Sequence, residues 1–176
     1  DGFFAYRDNS GKNFERYFQE KCIPQVKELL TQYGEVGMIW LDTPMDMTEV
    51  QCLELRSVVK ELQPDCIISG RIGHGAGDYL STQDNRLPAF PIYQHWEVPA
   101  TTNHSFGFKA ADENWRPATE IIEKMVKIIS RGGNYLLNVG PDGTGKIPDA
   151  SRRILDQVGD FLRENGDALY GAKPTP

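Results

Sequence analysis

Residues 37–46 read GMIWLDTPMD, and this stretch decides the fold class. Its apolar run at 38–41 is typical of a buried strand, and a strand is predicted over 36–41. Asp42 follows the run directly, and Thr43-Pro44 stops the strand because proline has no backbone N–H to donate. The chain therefore places a carboxylate at the point where a buried strand ends.

Helix-like and strand-like segments alternate on both sides of this run. The apolar spacing predicts helices over 13–32, 48–62, 117–131 and 149–164, and further strands over 66–70, 92–98 and 134–139. Pro24 is expected to kink or split the first helix, and Gly34 to end it. Thr48 and Gln51 have the spacing of a capping box. A long irregular segment from Arg71 to about Ile92 has the length of a functional loop.

This order of elements predicts an α/β fold with a parallel sheet covered by helices. Four parallel strands with their helices would make half of a (β/α)8 (TIM) barrel, and they could equally make a small doubly wound sheet. Both folds bind ligands at the carboxyl ends of their strands. Asp42 is predicted to lie at such an end.

Composition excludes several classes of function. The 176 residues are enough for one domain with a hydrophobic core. A net charge of −6 and the lack of any Lys/Arg block argue against nucleic-acid binding. No apolar run approaches the roughly 18 residues of a membrane-spanning helix. Residues 1–12 are predicted to be a loop.

No metal or cofactor site is predicted. The cysteines are isolated and are interpreted as small core residues: Cys22, Cys52 and Cys66. The histidines lack the spacing of a metal-binding motif: His74, His95 and His104. Residues 140–148, GPDGTGKIP, come close to a phosphate-binding loop, but Ile147 replaces the required Ser or Thr. A turn rich in glycine and aspartate is the favoured interpretation, and a phosphate-binding domain is a weaker alternative.

Carboxylates next to tryptophans are the candidate catalytic groups. Asp42 lies two residues beyond Trp40, and Glu97 follows Trp96 at the predicted end of the third strand. Asp84 lies in the long loop between them. Glycoside hydrolysis requires two carboxyl groups that flank one bond, and an indole ring can pack against the apolar face of a sugar. Each acid alone could instead have a structural role, such as capping a turn.

Arg71 closes the second predicted strand in the sequence SGRIG. An arginine at a strand's carboxyl end can pair with a catalytic acid or donate hydrogen bonds to a ligand oxygen. A structural ion pair is the alternative role.

Four blocks of the sequence resemble a known enzyme family. They read YGEVGMIWLD, GRIG followed by GDYLSTQD, HWEVPATTNHSFGF, and SRGGNYLLNVGPDGTGKIP. In this order they are similar to blocks of the retaining α-L-fucosidases, glycoside hydrolase family 29, over about Tyr33 to Tyr170. The resemblance implies that residues 1–176 are a partial catalytic (β/α)8-like barrel domain. This chain would supply about its second half, and the N-terminal half would be absent.

The resemblance also implies roles for individual residues. Asp42 matches the family's catalytic nucleophile, and Trp40 and Arg71 match positions that line the fucose pocket. The acid/base would be either Glu97 or Asp84, because family members differ in where they place it. The longer reach of Glu97 favours it slightly.

Two further aromatic residues are expected to contact the sugar. Trp96 is one, and Phe106 is the other, in the block where the family often carries a tryptophan. The expected substrate is a fucosylated oligosaccharide or glycoconjugate, and no cofactor is needed. The missing barrel half or a second copy of the chain would be the protein partner. The family is typical of secreted, periplasmic or lysosomal proteins. A non-catalytic carbohydrate-binding fragment is the alternative function.

Overall fold

A computed structural model describes residues 11–174, so most of the predicted N-terminal loop lies outside the described residues. The chain divides into two compact units between Asp78 and Tyr79. Both units contain parallel strands with helices, which confirms the predicted α/β class. The described residues form five strands in separate sheets of two and three, where the sequence predicted four strands.

Over residues 11–78, the first unit contains one parallel strand pair, three α-helices, a π-helical turn and a 3-10 turn. They are α1 (Phe14–Tyr17), a π-helical turn (Phe18–Cys22), α2 (Ile23–Gln32), β1 (Met38–Ile39), α3 (Glu49–Leu62), β2 (Ile67–Ile68) and a 3-10 turn (Gly70–Ile72). In the register of the pair, Met38 lies opposite Ile67 and Ile39 opposite Ile68.

The first predicted helix is continuous, and the expected disturbance at Pro24 takes the form of the π-helical turn. Proline cannot donate the hydrogen bond of a regular helix, so the turn before it widens and the N–H of Ile23 donates to the carbonyl of Phe18. Asn13 caps the start, accepting a bond of 2.9 Å from the N–H of Arg16. Gly34 follows the helix end with a φ of +83°.

The predicted capping box of α3 is confirmed. The Thr48 hydroxyl accepts from the N–H of Gln51, whose side-chain oxygen accepts from the N–H of Thr48. Gln51 also donates to the carboxylate of Glu15 at 2.6 Å, which links α3 to α1. Gln51 therefore both caps the start of α3 and links α3 to α1.

The core of the first unit lies between α2, α3 and the strand pair. Its buried residues include Phe18, Val26, Leu30, Cys52, Leu55, Val59, Cys66 and Ile68. Cys52 and Cys66 are core residues as predicted, and burial raises the pKa of both thiols. Cys22 is half-buried against this core.

The second unit contains the other three strands and two long helices. They are β3 (Leu80–Ser81), β4 (Trp96–Thr101), α4 (Ala118–Ile129), β5 (Asn134–Asn138), α5 (Asp149–Asn165) and a 3-10 turn (Gly166–Ala168). The sheet is parallel with β4 in the centre. β3 lies inside the segment predicted to be irregular, because two residues are too few to create a periodic pattern.

β4 differs from its prediction over 92–98, since it begins at Trp96 and continues to Thr101. Pro99 lies inside the strand, and its carbonyl accepts from the N–H of Asn85, on the side away from β5. In a strand, the N–H and the carbonyl of one residue point to the same side, so an N–H at position 99 would also point away from β5. The lack of this N–H in proline therefore removes no hydrogen bond to β5. Glu97 therefore lies near the amino-terminal end of β4, and not at its carboxyl end.

Gly133 allows the backbone before β5 to touch the ring of Trp96. A Cβ at this position would lie 2.5 Å from the indole. Trp96 is 2% exposed and belongs to a buried cluster with Val98 and Ile128. Within residues 11–174, no helix has the length and apolar character needed to cross a membrane.

Asp78 ties the end of the first unit to β2 and α3. Its N–H donates to the carbonyl of Ile68 at 2.8 Å, and its carboxylate accepts from the N–H of Ile68 at 2.9 Å. Arg56 and Lys60 form ion pairs with the carboxylate at 2.7 and 2.8 Å. Burial alone would raise the pKa of Asp78, but Lys60, the Ile68 N–H and Arg56 together lower it to about 2.

Gly133→Ala is predicted to lower the free energy of unfolding by about 1–3 kcal/mol, because the new methyl group displaces the Trp96 ring. Gly159→Ala is the matched control, since α5 has room for a Cβ at that position and alanine favours a helix by up to about 1 kcal/mol. Urea unfolding measures both variants. Equal stability of the two would contradict the packing described for Trp96.

Asp78→Asn is predicted to destabilise the chain by about 2 kcal/mol at pH 6. The folded-state pKa of Asp78 is below its unfolded value, so its contribution is complete above pH ~4 and disappears as the pH falls through about 2. At pH 3 the difference from the unaltered chain should be about half of that at pH 6. Urea titrations at both values measure it, and the same loss at both would contradict the prediction.

Candidate active site

Three predicted site residues meet at the carboxyl end of the β1–β2 pair. Nη1 of Arg71 lies 3.4 Å from Oδ1 of Asp42, and the guanidinium carbon lies 5.1 Å from the centre of the Trp40 ring. The Arg71 side chain is 19% exposed, whereas that of Asp42 is 50% exposed. Arg71 thus lies between indole and carboxylate, and it leaves half of the Asp42 side chain accessible to a ligand.

Ser69 fixes the backbone that leads to Asp42. Its hydroxyl accepts from the N–H of Leu41 and donates to the carbonyl of Leu41, each at 3.0 Å. Its own N–H donates to the carbonyl of Ile39 at 3.1 Å. Ser69 is fully buried, so the hydroxyl replaces the sheet hydrogen bonds where the two strands end. The sequence prediction missed this role, although a hydroxyl that ends the apolar run CIIS was visible.

The backbone turns sharply directly after Asp42. Thr43 has a φ of +57°, a conformation that a β-branched residue rarely adopts. Residues in such strained conformations are concentrated at functional sites. Pro44 continues the turn, its carbonyl accepting from the N–H of Met47 at 3.0 Å.

A cavity of about 170 Å³, here called the Asp42 pocket, opens beside this cluster. Asp42 and Arg71 supply its charged groups, and most of its wall is apolar. The lining includes Phe14, Tyr17, Leu41, Thr43, Pro44 and Met47. An apolar pocket with a few placed polar groups is typical of a small-molecule site.

In the second unit, Asp84 lies near the carboxyl end of the central strand. The adjacent Asn85 donates its N–H to the carbonyl of Pro99 at 2.8 Å and accepts from the N–H of Thr101 at 3.0 Å. Asn85 has a φ of +59°, which asparagine tolerates better than most residues. Asn85 therefore holds exposed Asp84 beside the last residues of β4, a role that the sequence prediction missed.

Phe106 lies beyond the carboxyl end of β5 and is 40% exposed. The side-chain amide of Asn138, the last residue of β5, donates to the Phe106 carbonyl at 2.7 Å. Gly140 packs against this loop so closely that a Cβ would lie 2.8 Å from the carbonyl carbon of Gly107. Asp84 and Phe106 thus both belong to the carboxyl edge of the three-stranded sheet.

Asp112 organises the segment that carries Phe106. Its carboxylate accepts from the Ser105 hydroxyl at 2.7 Å, from the N–H of His104 at 3.1 Å and from the N–H of Asn114 at 3.2 Å. These bonds, with that from Ser105 the strongest influence, hold the pKa of Asp112 below its usual range. The sequence offered no specific signal for this role.

Glu97 and Trp96 have buried positions. Glu97 is 6% exposed, and its carboxylate accepts from the Tyr79 hydroxyl at 3.0 Å. Trp96 packs into the core against Gly133. Both lie at the amino-terminal end of β4, far along the strand from Thr101. Burial of this kind is typical of residues with a structural role, because a sugar could not reach these side chains.

Residues 140–148 form the predicted turn, and its N–H groups are already used. Oδ1 of Asp142 accepts from the N–H groups of Thr144 at 2.8 Å and Lys146 at 3.1 Å, and the carbonyl of Asp142 accepts from Gly145. The Thr144 hydroxyl and these N–H groups lower the pKa of Asp142. A carboxylate therefore occupies the donors that a phosphate would need. Among residues 11–174, no three His, Cys, Asp or Glu side chains are grouped to hold a metal ion.

Ser69→Ala is predicted to lower the free energy of unfolding by about 1–3 kcal/mol, because both polar groups of the Leu41 peptide lose a buried partner. Ser57→Ala, at an exposed position of α3, is the control and should be nearly neutral. Urea unfolding measures the two variants. A neutral Ser69→Ala would show that the hydroxyl does not hold the strand end.

Comparison with known proteins identifies relatives across almost the whole chain. A family model described as alpha-L-fucosidase matches residues 3–167. The alpha-L-fucosidase of Dictyostelium discoideum is 30% identical over 182 residues, which cover 94% of this chain and 38% of the relative. The chain thus spans well under half the length of this relative.

Solved structures show the same similarity. The crystal structure of alpha-L-fucosidase from Vibrio sp. strain EJY3 matches with a TM-score of 0.88 and 30% identity, over 96% of this chain and 31% of that one. Alpha-L-fucosidase AlfC from Lactobacillus casei, in complex with alpha-L-fucose product, matches with a TM-score of 0.80 and 34% identity, over 95% of this chain and 51% of that one. Sequence and fold agree over nearly the whole length, and the chain belongs to the alpha-L-fucosidase family.

Proposed function

We propose that this chain carries catalytic residues of a retaining glycoside hydrolase that removes terminal α-L-fucose from glycans or glycoconjugates. The observation that carries the proposal is the meeting of Asp42, Arg71 and Trp40 beside a pocket at the carboxyl end of parallel strands. This is the edge at which α/β barrels bind their ligands. The structure of the relative AlfC contains alpha-L-fucose, which supports fucose as the sugar.

We place residues 1–176 in a (β/α)8 barrel, as about its second half. Support comes from the parallel strands of both units and from the 38% of the Dictyostelium relative that the chain spans. A half barrel exposes sheet edges and cannot enclose a sugar alone. The N-terminal half of the barrel, or a second copy of the chain, is the partner that completes the site.

Asp42 is the proposed nucleophile. Its carboxylate attacks the anomeric carbon of fucose, the bond to the leaving oxygen breaks, and a glycosyl ester forms on Asp42. Water then displaces the carboxylate from the same carbon, and two inversions give net retention. Arg71 donates hydrogen bonds to sugar oxygens, and the Trp40 ring packs against the apolar C–H face of the pyranose.

We favour Asp84 over Glu97 as the acid/base. Asp84 is exposed at the carboxyl edge of its sheet, whereas Glu97 is buried near the amino-terminal end of β4 and bonded to Tyr79. The acid protonates the leaving oxygen in the first step and takes a proton from water in the second. Phe106, at the same edge as Asp84, is the proposed aromatic contact of the sugar, and Trp96 is assigned to packing.

A non-catalytic carbohydrate-binding role is the second candidate. The Asp42 pocket favours it, because an apolar wall with one guanidinium group can hold a sugar without turnover. Trp40 and Arg71 would then bind fucose without an acid/base across the pocket.

With the partner that completes the barrel present in every assay, Asp42→Gly is predicted to lower the release of 4-nitrophenol from 4-nitrophenyl α-L-fucoside on the order of 10³-fold or more. Added azide should restore release, because it can occupy the space of the lost carboxylate and attack the anomeric carbon to give a β-fucosyl azide. Asp65→Gly, at an exposed turn, is the control and should retain full activity.

The outcomes separate the two candidates. The assignment of Asp42 as nucleophile is supported if the unaltered chain releases nitrophenol, Asp42→Gly does not, and azide restores the release. Release that survives Asp42→Gly overturns its assignment. If no variant releases nitrophenol but calorimetry detects binding of L-fucose, the carbohydrate-binding role is favoured.

A further inference from the structure

The second unit contains a cavity that the proposed catalytic chemistry does not use. It has a volume of about 330 Å³, lies at the start of α4 and along the first half of α5, and is here called the Trp115 cavity. It shares no lining residue with the Asp42 pocket. Four of the lining side chains can bind a polar ligand by charge, hydrogen bonds or an aromatic face: Trp115, Arg116, Arg153 and Gln157.

The lining carries positive charge, although the whole chain has a net charge of −6. It includes two arginines and no acidic residue. Nη1 of Arg116 pairs with Oε1 of Glu120 at 2.9 Å, but Nζ of Lys124 pairs with the same oxygen at 3.1 Å. One carboxylate is therefore shared by two cations, and the pair of Arg116 with Glu120 leaves positive charge beside the cavity.

Arg153 supplies a second guanidinium group that is available to a ligand. Within residues 11–174, its side chain forms no hydrogen bond or ion pair, and the same is true of the Gln157 side chain. The two residues are four positions apart in α5, so they lie on one face of that helix. A planar guanidinium group can pair with a carboxylate through two parallel hydrogen bonds. The cavity therefore has the groups that a carboxylate requires.

We propose that the Trp115 cavity binds a carboxylate-bearing pyranose, such as a hexuronic acid. Trp115 is half-buried against the helical core of the second unit, so its ring is held in place. An aromatic face packs on the C–H face of a pyranose, while the Gln157 amide offers a donor and an acceptor to its hydroxyl groups. The two arginines bind the carboxylate. The inference does not rest on the proposed function, because the cavity contains none of the proposed catalytic residues.

The size and the apolar part of the lining favour one sugar ring over other anions. Ligand sites usually measure about 300–1,000 Å³, and this cavity is near the lower limit. That volume suits a single ring better than a segment of acidic polypeptide. A free phosphate would leave the indole ring and the apolar wall without a partner, and this wall includes Pro117, Ala118 and Ile154.

Indole N–H NMR can locate the ligand, because the chain has three tryptophans in different surroundings. Trp115 lines the cavity, Trp40 lies beside Arg71 in the candidate active site, and Trp96 is buried in the core. The partner that completes the barrel is present, and single tryptophan-to-phenylalanine variants assign the signals. Methyl β-D-glucuronide should shift the Trp115 signal and leave the other two unchanged. Methyl β-D-glucoside, which lacks the carboxylate, should bind at least about 10-fold more weakly.

Substitutions in α5 test the role of Arg153. Arg153→Ala should lower the affinity for methyl β-D-glucuronide about 10-fold, and Arg153→Lys, which keeps the charge but not the paired hydrogen bonds, should lower it less. Arg152→Ala is the matched control, since this adjacent exposed arginine lies outside the cavity lining, and it should leave the affinity unchanged. Asp42→Gly should not alter the Trp115 shift, which separates this test from that of the proposed function.

Three results would overturn the inference. The first is the absence of a Trp115 shift with the glucuronide, or an equal affinity for glucuronide and glucoside. The second is the same loss of affinity in Arg152→Ala as in Arg153→Ala, which would indicate a general effect of charge on α5. The third is a Trp115 shift with sodium acetate as large as that with the glucuronide at the same concentration, because the cavity would then have no preference for a sugar ring.

Discussion

The hydroxyl of Ser69 determines where the strand pair of the first unit ends. Its two hydrogen bonds, to the backbone N–H and to the carbonyl of Leu41, continue the pairing of β1 and β2 beyond the last backbone–backbone hydrogen bond between them. Asp42 follows this fixed peptide, and the strained turn at Thr43 begins directly after it. The carboxylate therefore starts from a rigid backbone, which is what a nucleophile needs to be held in a reactive geometry.

Close backbone packing at glycines is the second constraint on the loops around the site. A Cβ on Gly77 would lie 2.5 Å from Cα of Gly70, next to the turn that carries Arg71. A Cβ on Gly140 would lie 2.8 Å from the carbonyl carbon of Gly107, in the loop that carries Phe106. A Cβ on Gly133 would likewise collide with the indole ring of Trp96. These glycines belong to two of the sequence blocks that resemble the family, and at each of them a Cβ atom would collide with a neighbouring group.

The sequence predicted the helices closely and the site incompletely. Apolar periodicity located α3, α4 and α5 within about two residues. It failed for β3, which has only two residues. It also gave β4 the wrong bounds, because the six residues of β4 are all buried and mix polar with apolar side chains, so no alternation marks where the strand ends. Asp42 and Arg71 were identifiable as residues at strand ends. The roles of Ser69, Asn85 and Asp112 depend on partners distant in sequence, so no local pattern could reveal them.

The proposal that Asp42 is the nucleophile depends on where fucose binds relative to its carboxylate. A crystal structure of the chain with bound α-L-fucose, in the presence of the partner that completes its barrel, can show this. We expect Arg71 in contact with the sugar and an Asp42 carboxylate oxygen within about 3–3.5 Å of the anomeric carbon. Fucose bound away from Asp42 would contradict the proposal.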